Sequence, residues 1–210
     1  LNISFINEWS RFAEEANVNL YEIIDAIRMR PTHSNLMYPG IGVGGYCLTK
    51  DALLASWSRQ NLIDKGSKLS QSESAININD QMPRFAYEVL KKHYPVIKDK
   101  KILLLGVSYR GDVGDSRYSP VEKFYNYLSQ DNPIIDCHDP FIDYWDEKQL
   151  SIDSNLDNHI NNSLDIIIIS ANHSIYKSNE VISSILNLKP LFIFDTVGHF
   201  SGDQIKLIKD

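Results

Sequence analysis

Two patterns of hydrophobic residues divide the chain into a first and a second part. In the first part, apolar side chains recur every three or four positions from residue 5 to residue 16, which is typical of an amphipathic helix. A second helix is predicted after Asn19, which can cap its N-terminus, and further helices over about 52–62 and 70–93. Pro83 lies inside the last of these and predicts a break or kink there.

After residue 95 the pattern changes to short runs that are continuously apolar. Strands are predicted at 101–105, 133–137, 165–170 and 191–195, with amphipathic helices at 119–129 and 178–187. Such runs, repeated with helices between some of them, indicate a parallel sheet that is covered on both faces. We therefore predict an α/β protein with a helical domain over 1–95 and a parallel-sheet domain over 96–210.

Composition and charge narrow the classes of function. The net charge of −6 arises in residues 96–210, because residues 1–95 carry equal numbers of acidic and basic side chains. An acidic chain without a basic stripe argues against a nucleic-acid partner, and no apolar run is long enough for a membrane span. Two cysteines in 210 residues predict a reducing, cytoplasmic setting, and no Cys/His spacing suits a metal site.

The stretch YPGIGVGGYCLTKD at 38–51 is the most unusual in the chain. Gly40, Gly42 and Gly45 satisfy G-x-G-x-x-G, but the residues before them are polar and contain prolines, so no strand precedes the glycines. A dinucleotide-binding turn needs that strand, and we reject this interpretation. The glycines instead allow a ligand to approach the backbone closely.

Cys47 and Asp51 follow these glycines, at or just before the predicted start of a helix. The positive end of a helix favours a thiolate, and Lys50 acts in the same direction. A thiolate there can attack an aldehyde, while a carboxylate one turn away can activate water. The alternatives are that Cys47 is a small core residue and that Asp51 is only the N-cap. Cys137, between β-branched residues, is predicted to be structural.

The stretch KILLLGVSYRGDVGDSRYSP at 101–120 also carries glycines, after a predicted strand. Arg110 and Arg117 lie at the carboxyl end of that strand, where open α/β sheets bind ligands. Two arginines suit a pyrophosphate, and Tyr109 can pack on a base. The alternative is that both arginines pair with Asp112 and Asp115 in a structural network.

These residues resemble the UDP-glucose/GDP-mannose dehydrogenase family. YPGIGVGGYCLTKD is similar to the catalytic-cysteine loop of that family, and KILLLGVSYRGDVGDSRYSP to the opening of its UDP-binding domain. HDPF at 138–141, IIIISANHSIYK at 166–177 and IFDT at 193–196 match in order. The resemblance implies an N-terminal Rossmann domain for NAD, a central helical region that forms a homodimer, and a Rossmann-like domain for the UDP-sugar. It places residue 1 within the central helix, so we expect the NAD domain to be absent and the chain alone to be inactive.

The resemblance also implies roles for residues. Cys47 would capture an aldehyde formed at the sugar C6 and carry a thioester, and Asp51 would activate the water that releases the uronate. The residues assigned to substrate binding are Leu36, Tyr38, Gly40, Gly42, Gly44, Tyr109, Arg110 and Arg117. Lys50 is assigned to the cofactor NAD, most of whose site belongs to the N-terminal domain, and Asn7 and Glu8 to a supporting role.

The chain departs from the family pattern at three positions, with Thr49 for proline, Arg110 for lysine and Val197 for arginine. The sugar stays open, because the loop spacing is similar to enzymes of UDP-N-acetylhexosamines while C-x-x-K-D is similar to UDP-glucose enzymes. Two other functions are alternatives. One is a nucleotide-binding or dimerisation module without chemistry, and the other is a cysteine hydrolase that uses His33 as its base.

Overall fold

The structure is a computed structural model that describes residues 1–64, 66–160 and 163–200. The first part of the chain is helical, as predicted. Its elements are α1 (Asn2–Ala16), α2 (Leu20–Arg28), a short 3₁₀ helix (Pro31–His33), α3 (Tyr46–Ser58), a π-helical turn (Arg59–Ile63) and α4 (Ser70–His93). The side chain of Asn19 accepts a hydrogen bond of 3.1 Å from the backbone N–H of Tyr21, so the predicted cap of α2 is confirmed.

Helix α3 starts earlier than predicted. Its N-cap is Gly45, whose φ of 85° lies in the left-handed region that glycine tolerates, and the helix begins at Tyr46. The interpretation of Asp51 as the N-cap is therefore wrong, because Asp51 lies inside the helix. The sequence did not indicate this start, because the residues from Tyr46 to Asp51 carry no clear helical period.

Helix α4 continues through Pro83 without the predicted break. Proline has no N–H to donate, so the carbonyl of Asn79, four residues earlier, loses its helical donor. The glycine loop packs at this point, since a methyl group on Gly42 would lie 3.2 Å from that carbonyl oxygen. The loop thus covers the position where Pro83 interrupts the hydrogen bonding of the helix.

The second part of the chain forms a parallel sheet of four strands. These are β1 (Lys101–Leu105), β2 (Ile134–His138), β5 (Ile166–Ile169) and β6 (Phe192–Asp195), in the order β2-β1-β5-β6. Ile102 pairs with Ile135 on one side and with Ile166 on the other, and Ile166 pairs with Phe192. Each predicted strand is present, with its ends displaced by at most one residue.

Both faces of the sheet are covered, which confirms the predicted class. On one face, Ile102 and Leu104 of β1 join a core with α4 and with α5 (Pro120–Ser129). On the other face, Leu103 and Leu105 pack with α6 (Leu156–Ile160) and α7 (Asn179–Asn187). A small antiparallel pair, β3 (Tyr144–Trp145) and β4 (Leu150–Ser151), was not predicted because two-residue strands leave no periodic signal.

This architecture places the segments that matter for function. The strands are all parallel, so β1, β2, β5 and β6 end at the same edge of the sheet, and the loop after β1 starts there. The glycine loop reaches this loop from the helical part. No helix in the described parts of the chain is long and apolar enough to cross a membrane.

Candidate functional site

The cysteine lies at the start of α3. Cys47 occupies the first turn of the helix, directly after the N-terminal residue Tyr46, and is exposed to solvent. Asp51 lies four positions later, so both side chains share one face of the helix. The carboxylate of Asp51 is 61% exposed, and its Oδ1 lies 3.6 Å from Nζ of Lys50. An accessible thiol and an accessible carboxylate one turn apart can attack an electrophile and activate water, respectively.

Lys50 is held by its neighbours in the same turns of helix. Its Nζ lies 3.9 Å from the centroid of the Tyr46 ring, in addition to its contact with Asp51. The hydrogen bond to Tyr46 is the main reason that the pKa of Lys50 is raised, and the nearby carboxylate of Asp51 adds to the effect. Lys50 therefore presents a positive charge beside the carboxylate of Asp51.

The glycines of the loop serve close contacts within the protein. A methyl group on Gly44 would lie 2.5 Å from the carbonyl oxygen of Tyr118 and 2.7 Å from Cβ of Tyr109. At Gly45 it would lie 3.1 Å from the Tyr109 ring, whereas at Gly40 the nearest atom would be 3.7 Å away. We expected the glycines to clear space for a ligand, but at Gly44 and Gly45 the protein itself fills that space. The cysteine loop is thus packed directly on the loop that follows β1.

Asn79 fixes the middle of the glycine loop, and the sequence analysis missed it. Its side-chain Oδ1 accepts from the backbone N–H of Val43 at 2.7 Å, and its Nδ2 donates to the Val43 carbonyl at 2.9 Å. One side chain of α4 therefore satisfies both backbone groups of Val43, between two of the glycines. The feature of the sequence that could have indicated this role is the position of Asn79, a polar residue four positions before Pro83 in the helix.

Leu36 and Tyr38, assigned to substrate binding, make their contacts with the helical part. Leu36 packs against the small core of α1 and α2, which consists of Ile6, Ala13, Leu20 and Ile24. The hydroxyl of Tyr38 donates to the carboxylate of Asp25, and Arg28 lies 4.9 Å from the ring centroid. The hydrogen bond to Asp25 is the largest of the effects that raise the pKa of Tyr38.

The loop after β1 carries the two arginines. Arg117 forms two hydrogen bonds with Asp115, of 3.0 Å from Nε and 2.8 Å from a terminal nitrogen, and it lowers the pKa of Asp115. Arg110 is exposed, and no ion pair is found for it within the described residues. The alternative that both arginines pair with aspartates is therefore confirmed for Arg117 and wrong for Arg110. Asp112 bonds instead to the backbone N–H of Ser174, at 2.8 Å.

A buried polar network lies beneath this loop and was not predicted. Asp139 and His173 are fully buried, and Ser108 is almost so. The carboxylate of Asp139 accepts from the backbone N–H groups of Val107 at 2.9 Å and Ser108 at 3.0 Å. His173 Nε2 lies 2.9 Å from Oγ of Ser108 and 3.2 Å from Oδ2 of Asp139. Asp139 belongs to the HDPF stretch, but nothing in the sequence showed which groups it would meet.

Cys137 and His33, the remaining candidate residues, lie in surroundings that do not indicate a catalytic role. Cys137 is buried, and burial raises the pKa of its thiol to about 12, as expected for a structural cysteine. Nδ1 of His33 lies 2.8 Å from Oγ1 of Thr32 in an exposed 3₁₀ helix, an arrangement that gives no support to a hydrolase base. Within the described ranges, no group of His, Cys, Asp and Glu could hold a metal ion.

Comparisons with known proteins cover nearly the whole chain. The sequence profile of the UDP-glucose/GDP-mannose dehydrogenase family, central domain, matches residues 1–81, and that of the UDP binding domain matches 103–201. A UDP-N-acetyl-D-mannosamine dehydrogenase of Methanocaldococcus jannaschii is 32% identical over 201 residues, which are 93% of this chain and 43% of the relative. An NDP-N-acetyl-D-galactosaminuronic acid dehydrogenase of Ralstonia nicotianae is 28% identical over 62% of this chain and 29% of its own length.

Solved structures give the same picture. The UDP-D-ManNAc dehydrogenase of Pyrococcus horikoshii superposes with a TM-score of 0.75 at 28% identity, over 96% of this chain and 46% of that chain. The NDP-N-acetyl-D-galactosaminuronic acid dehydrogenase of Methanosarcina mazei gives 0.79 at 24% identity, over 98% and 45%, and supports the fold alone. The chain thus spans less than half the length of these relatives.

Proposed function

The chain belongs to the UDP-glucose/GDP-mannose dehydrogenase family, and from this premise we propose that it supplies the catalytic cysteine and the UDP-sugar site of an NAD-dependent UDP-sugar 6-dehydrogenase. The observation that carries the proposal is the packing of two loops. The loop that ends at the exposed Cys47 lies against the loop that carries Arg110 and Arg117. A reactive thiol and two cations for a pyrophosphate are therefore presented by adjoining segments.

In this proposal Cys47 acts on the aldehyde at C6 of the sugar. The thiolate sulfur forms a bond to the carbonyl carbon, whose oxygen takes up a proton, and the product is a thiohemiacetal. After its oxidation to the thioester, water attacks the same carbon while Asp51 accepts the proton of that water. The C–S bond then breaks, which releases the uronate and regenerates the thiolate.

We propose NAD as the oxidant of the sugar in the full-length enzyme. The residues described in this chain do not form a site for it. A dinucleotide turn needs a glycine-rich passage from strand to helix, whereas α5 begins at Pro120, well after the end of β1 at Leu105. Gly111, one of the glycines in this segment, is covered, since a methyl group on it would lie 2.1 Å from the carbonyl oxygen of Asn172. The assignment of Lys50 to the cofactor stays a prediction.

The pyrophosphate of the substrate is assigned to Arg110 and Arg117. Arg110 is exposed and free of an ion pair within the described chain, so a phosphate can bind it without displacing a carboxylate. Arg117 is 77% exposed and already oriented by Asp115. Among sugars, we propose a UDP-N-acetylhexosamine, because several relatives are named as UDP-N-acetyl-D-mannosamine dehydrogenases and the spacing of residues 30–45 suits that group.

A homodimer through the central helices is also proposed. Phe5, Trp9 and Phe12 form a stripe on α1 and are 51%, 47% and 61% exposed. Aromatic side chains in a contiguous exposed row are typical of an interface. Sedimentation equilibrium of the chain should give a dimer, and Trp9→Glu should convert it to a monomer; a wild-type monomer at high concentration would contradict this part of the proposal.

The first test is a calorimetric titration of the chain with UDP, with NAD and GDP as controls. Binding of UDP alone, weakened by Arg110→Ala, is expected. Stronger binding of NAD than of UDP would overturn the assignment of this domain. Binding of UDP that does not change with Arg110→Ala or Arg117→Ala would refute the site proposed here, even if the family is correct.

A further inference from the structure

The loop after β1 is attached to the protein beneath it by a buried carboxylate. Asp139 follows β2, and its Oδ2 accepts from the N–H groups of Val107 and Ser108 while its Oδ1 accepts from the N–H of Phe141 at 3.0 Å. Burial alone raises the pKa of Asp139, but the hydrogen bonds from His173 and the backbone lower it overall. The carboxylate is therefore charged and saturated with donors, which fixes the first residues of the loop.

His173 attaches the middle of the same loop. Its Nδ1 accepts from the backbone N–H of Asp112 at 2.9 Å, so this nitrogen carries a lone pair. The proton then lies on Nε2, which faces Ser108 Oγ and Asp139 Oδ2. The neutral ring thus links the buried carboxylate on one side to the backbone of the loop on the other.

A third attachment completes the arrangement. Oδ1 of Asp112 accepts from both the N–H and the Oγ of Ser174, at 2.8 Å and 3.0 Å, and Asp112 has a φ of 58°. Gly111 lies directly against the backbone of Asn172. The backbone is therefore fixed on both sides of Arg110, at Ser108 and at Asp112, although the Arg110 side chain itself is exposed.

We propose that Asp139 and His173 are positioning residues that hold Arg110 in the geometry needed for the pyrophosphate of a UDP-sugar. The inference rests on the proposed function, because it takes Arg110 as a cation of the site. Neither Asp139 nor His173 touches the ligand. They act by removing the backbone freedom that the loop would otherwise lose on binding, and this preorganisation increases affinity.

The experiment compares two buried histidines. His173→Ala removes the attachment of the loop, whereas His159→Ala removes a histidine that bonds Asp136 at 2.6 Å and the Asp153 carbonyl at 2.8 Å, away from the loop. Both changes should lower the melting temperature. Only His173→Ala should weaken binding of UDP, by about tenfold or more, as expected for loss of one or two hydrogen bonds that orient the site.

A conservative variant and an exposed one distinguish positioning from simple destabilisation. The side-chain oxygen of His173→Asn can still accept from the Asp112 N–H, so this variant should recover part of the affinity. Asp112→Ala breaks the attachment to Ser174 at an exposed side chain, so it should keep the native fold, at a small cost because alanine adopts a φ of 58° less readily than aspartate, and still bind more weakly. In the wild type, nitrogen NMR of His173 should show an unprotonated Nδ1.

The outcomes separate the two proposals. If the wild-type chain binds neither UDP nor a UDP-sugar, the proposed function fails and this inference fails with it. If Arg110→Ala weakens binding but His173→Ala, His173→Asn and Asp112→Ala do not, the site is correct and the positioning role is wrong. Equal losses of affinity in His159→Ala and His173→Ala would also overturn the role, since they would reflect stability alone.

Discussion

The two glycine-bearing loops meet in space but are held in different ways. The cysteine loop depends on small residues that let it pack against Tyr109 and Tyr118, and on two hydrogen bonds between Asn79 and the backbone of Val43. The loop after β1 depends on Asp139 and His173, which are fully buried. The first loop is therefore fixed by close packing and one neutral amide side chain, and the second by a buried charge and its hydrogen bonds.

This difference fits the task proposed for each loop. A thiol that reacts with a sugar must be reachable, so Cys47 and Asp51 stay exposed on the first turns of a helix. A site for a pyrophosphate needs cations in fixed positions, and backbone held by buried donors and acceptors provides them. Contacts made by shape tolerate few changes in size, while contacts made by charge tolerate few changes in polarity.

The largest effect on stability should come from Asp139→Ala. The change leaves the N–H groups of Val107 and Ser108 buried without acceptors, at a cost of about 3–5 kcal/mol in the free energy of unfolding. Urea denaturation measures this. Asp153→Ala is the control, because that carboxylate also accepts a backbone N–H, from Asn155, but is exposed. Similar losses in both variants would show that burial is not what gives Asp139 its importance.

Gly44→Ala should come next, because its methyl group would collide with the carbonyl oxygen of Tyr118 and Cβ of Tyr109. Overpacking of this kind costs about 1–3 kcal/mol. Gly40→Ala is the matched control, since its nearest neighbour would be 3.7 Å away, and it should be close to neutral in the same denaturation experiment. If Gly44→Ala unfolds like the wild type, the loop is not fixed by shape.

Asn79→Ala removes both hydrogen bonds to Val43 and should cost about 1–2 kcal/mol. Asn77→Ala makes the same substitution on an exposed face of α4, where the side chain bonds to Gln81 and not to the glycine loop. The difference between the two variants therefore isolates the contact with the loop. No difference would mean that the glycines alone hold the cysteine loop.

The cysteines of the two regions should differ in reactivity and in their response to pH. Ellman's reagent should label Cys47 in the native chain, and Cys137 only after unfolding.

Stability should also depend on pH through Cys137. Burial raises the pKa of this thiol to about 12 in the folded state, whereas in the unfolded state the thiol begins to lose its proton near pH 8.5. Its contribution to stability is thus present below about pH 8.5 and falls by about 1.4 kcal/mol per pH unit above it. Cys137→Ala should remove this slope, and an unchanged slope would contradict the assignment.

The smallest change in the free energy of unfolding should come from Cys47→Ser, within about 0.5 kcal/mol, because the side chain is exposed.

In the enzyme that includes an NAD-binding domain, Cys47→Ser should abolish formation of the acid while leaving UDP binding intact. Asp51→Asn should instead accumulate the thioester, which mass spectrometry of the protein detects. Full conversion to the acid by both variants would show that the roles proposed for Cys47 and Asp51 are wrong.

Much of the fold was predictable because its signals are local. The continuously apolar runs gave the four parallel strands, and Asn19 gave the cap of α2. The predictions of where α3 starts and of a break in α4 at Pro83 were wrong, because both features depend on the glycine loop that packs there. Of the site, the sequence indicated Cys47, Asp51 and the two arginines, but neither Asn79 nor the pair of Asp139 and His173.

The sequence by itself determined the class of the fold, the spacing that puts Cys47 and Asp51 on one helical turn, and the family. Only the tertiary structure decided what fills the space beside Gly44, that Arg110 stays unpaired within the described chain while Arg117 pairs, and what holds the loop between them. The reason is the distance along the chain. Val107 meets a carboxylate 32 positions away and Ser108 a histidine 65 positions away. No periodicity or local spacing encodes such partners, which are brought together only when parallel strands align their ends.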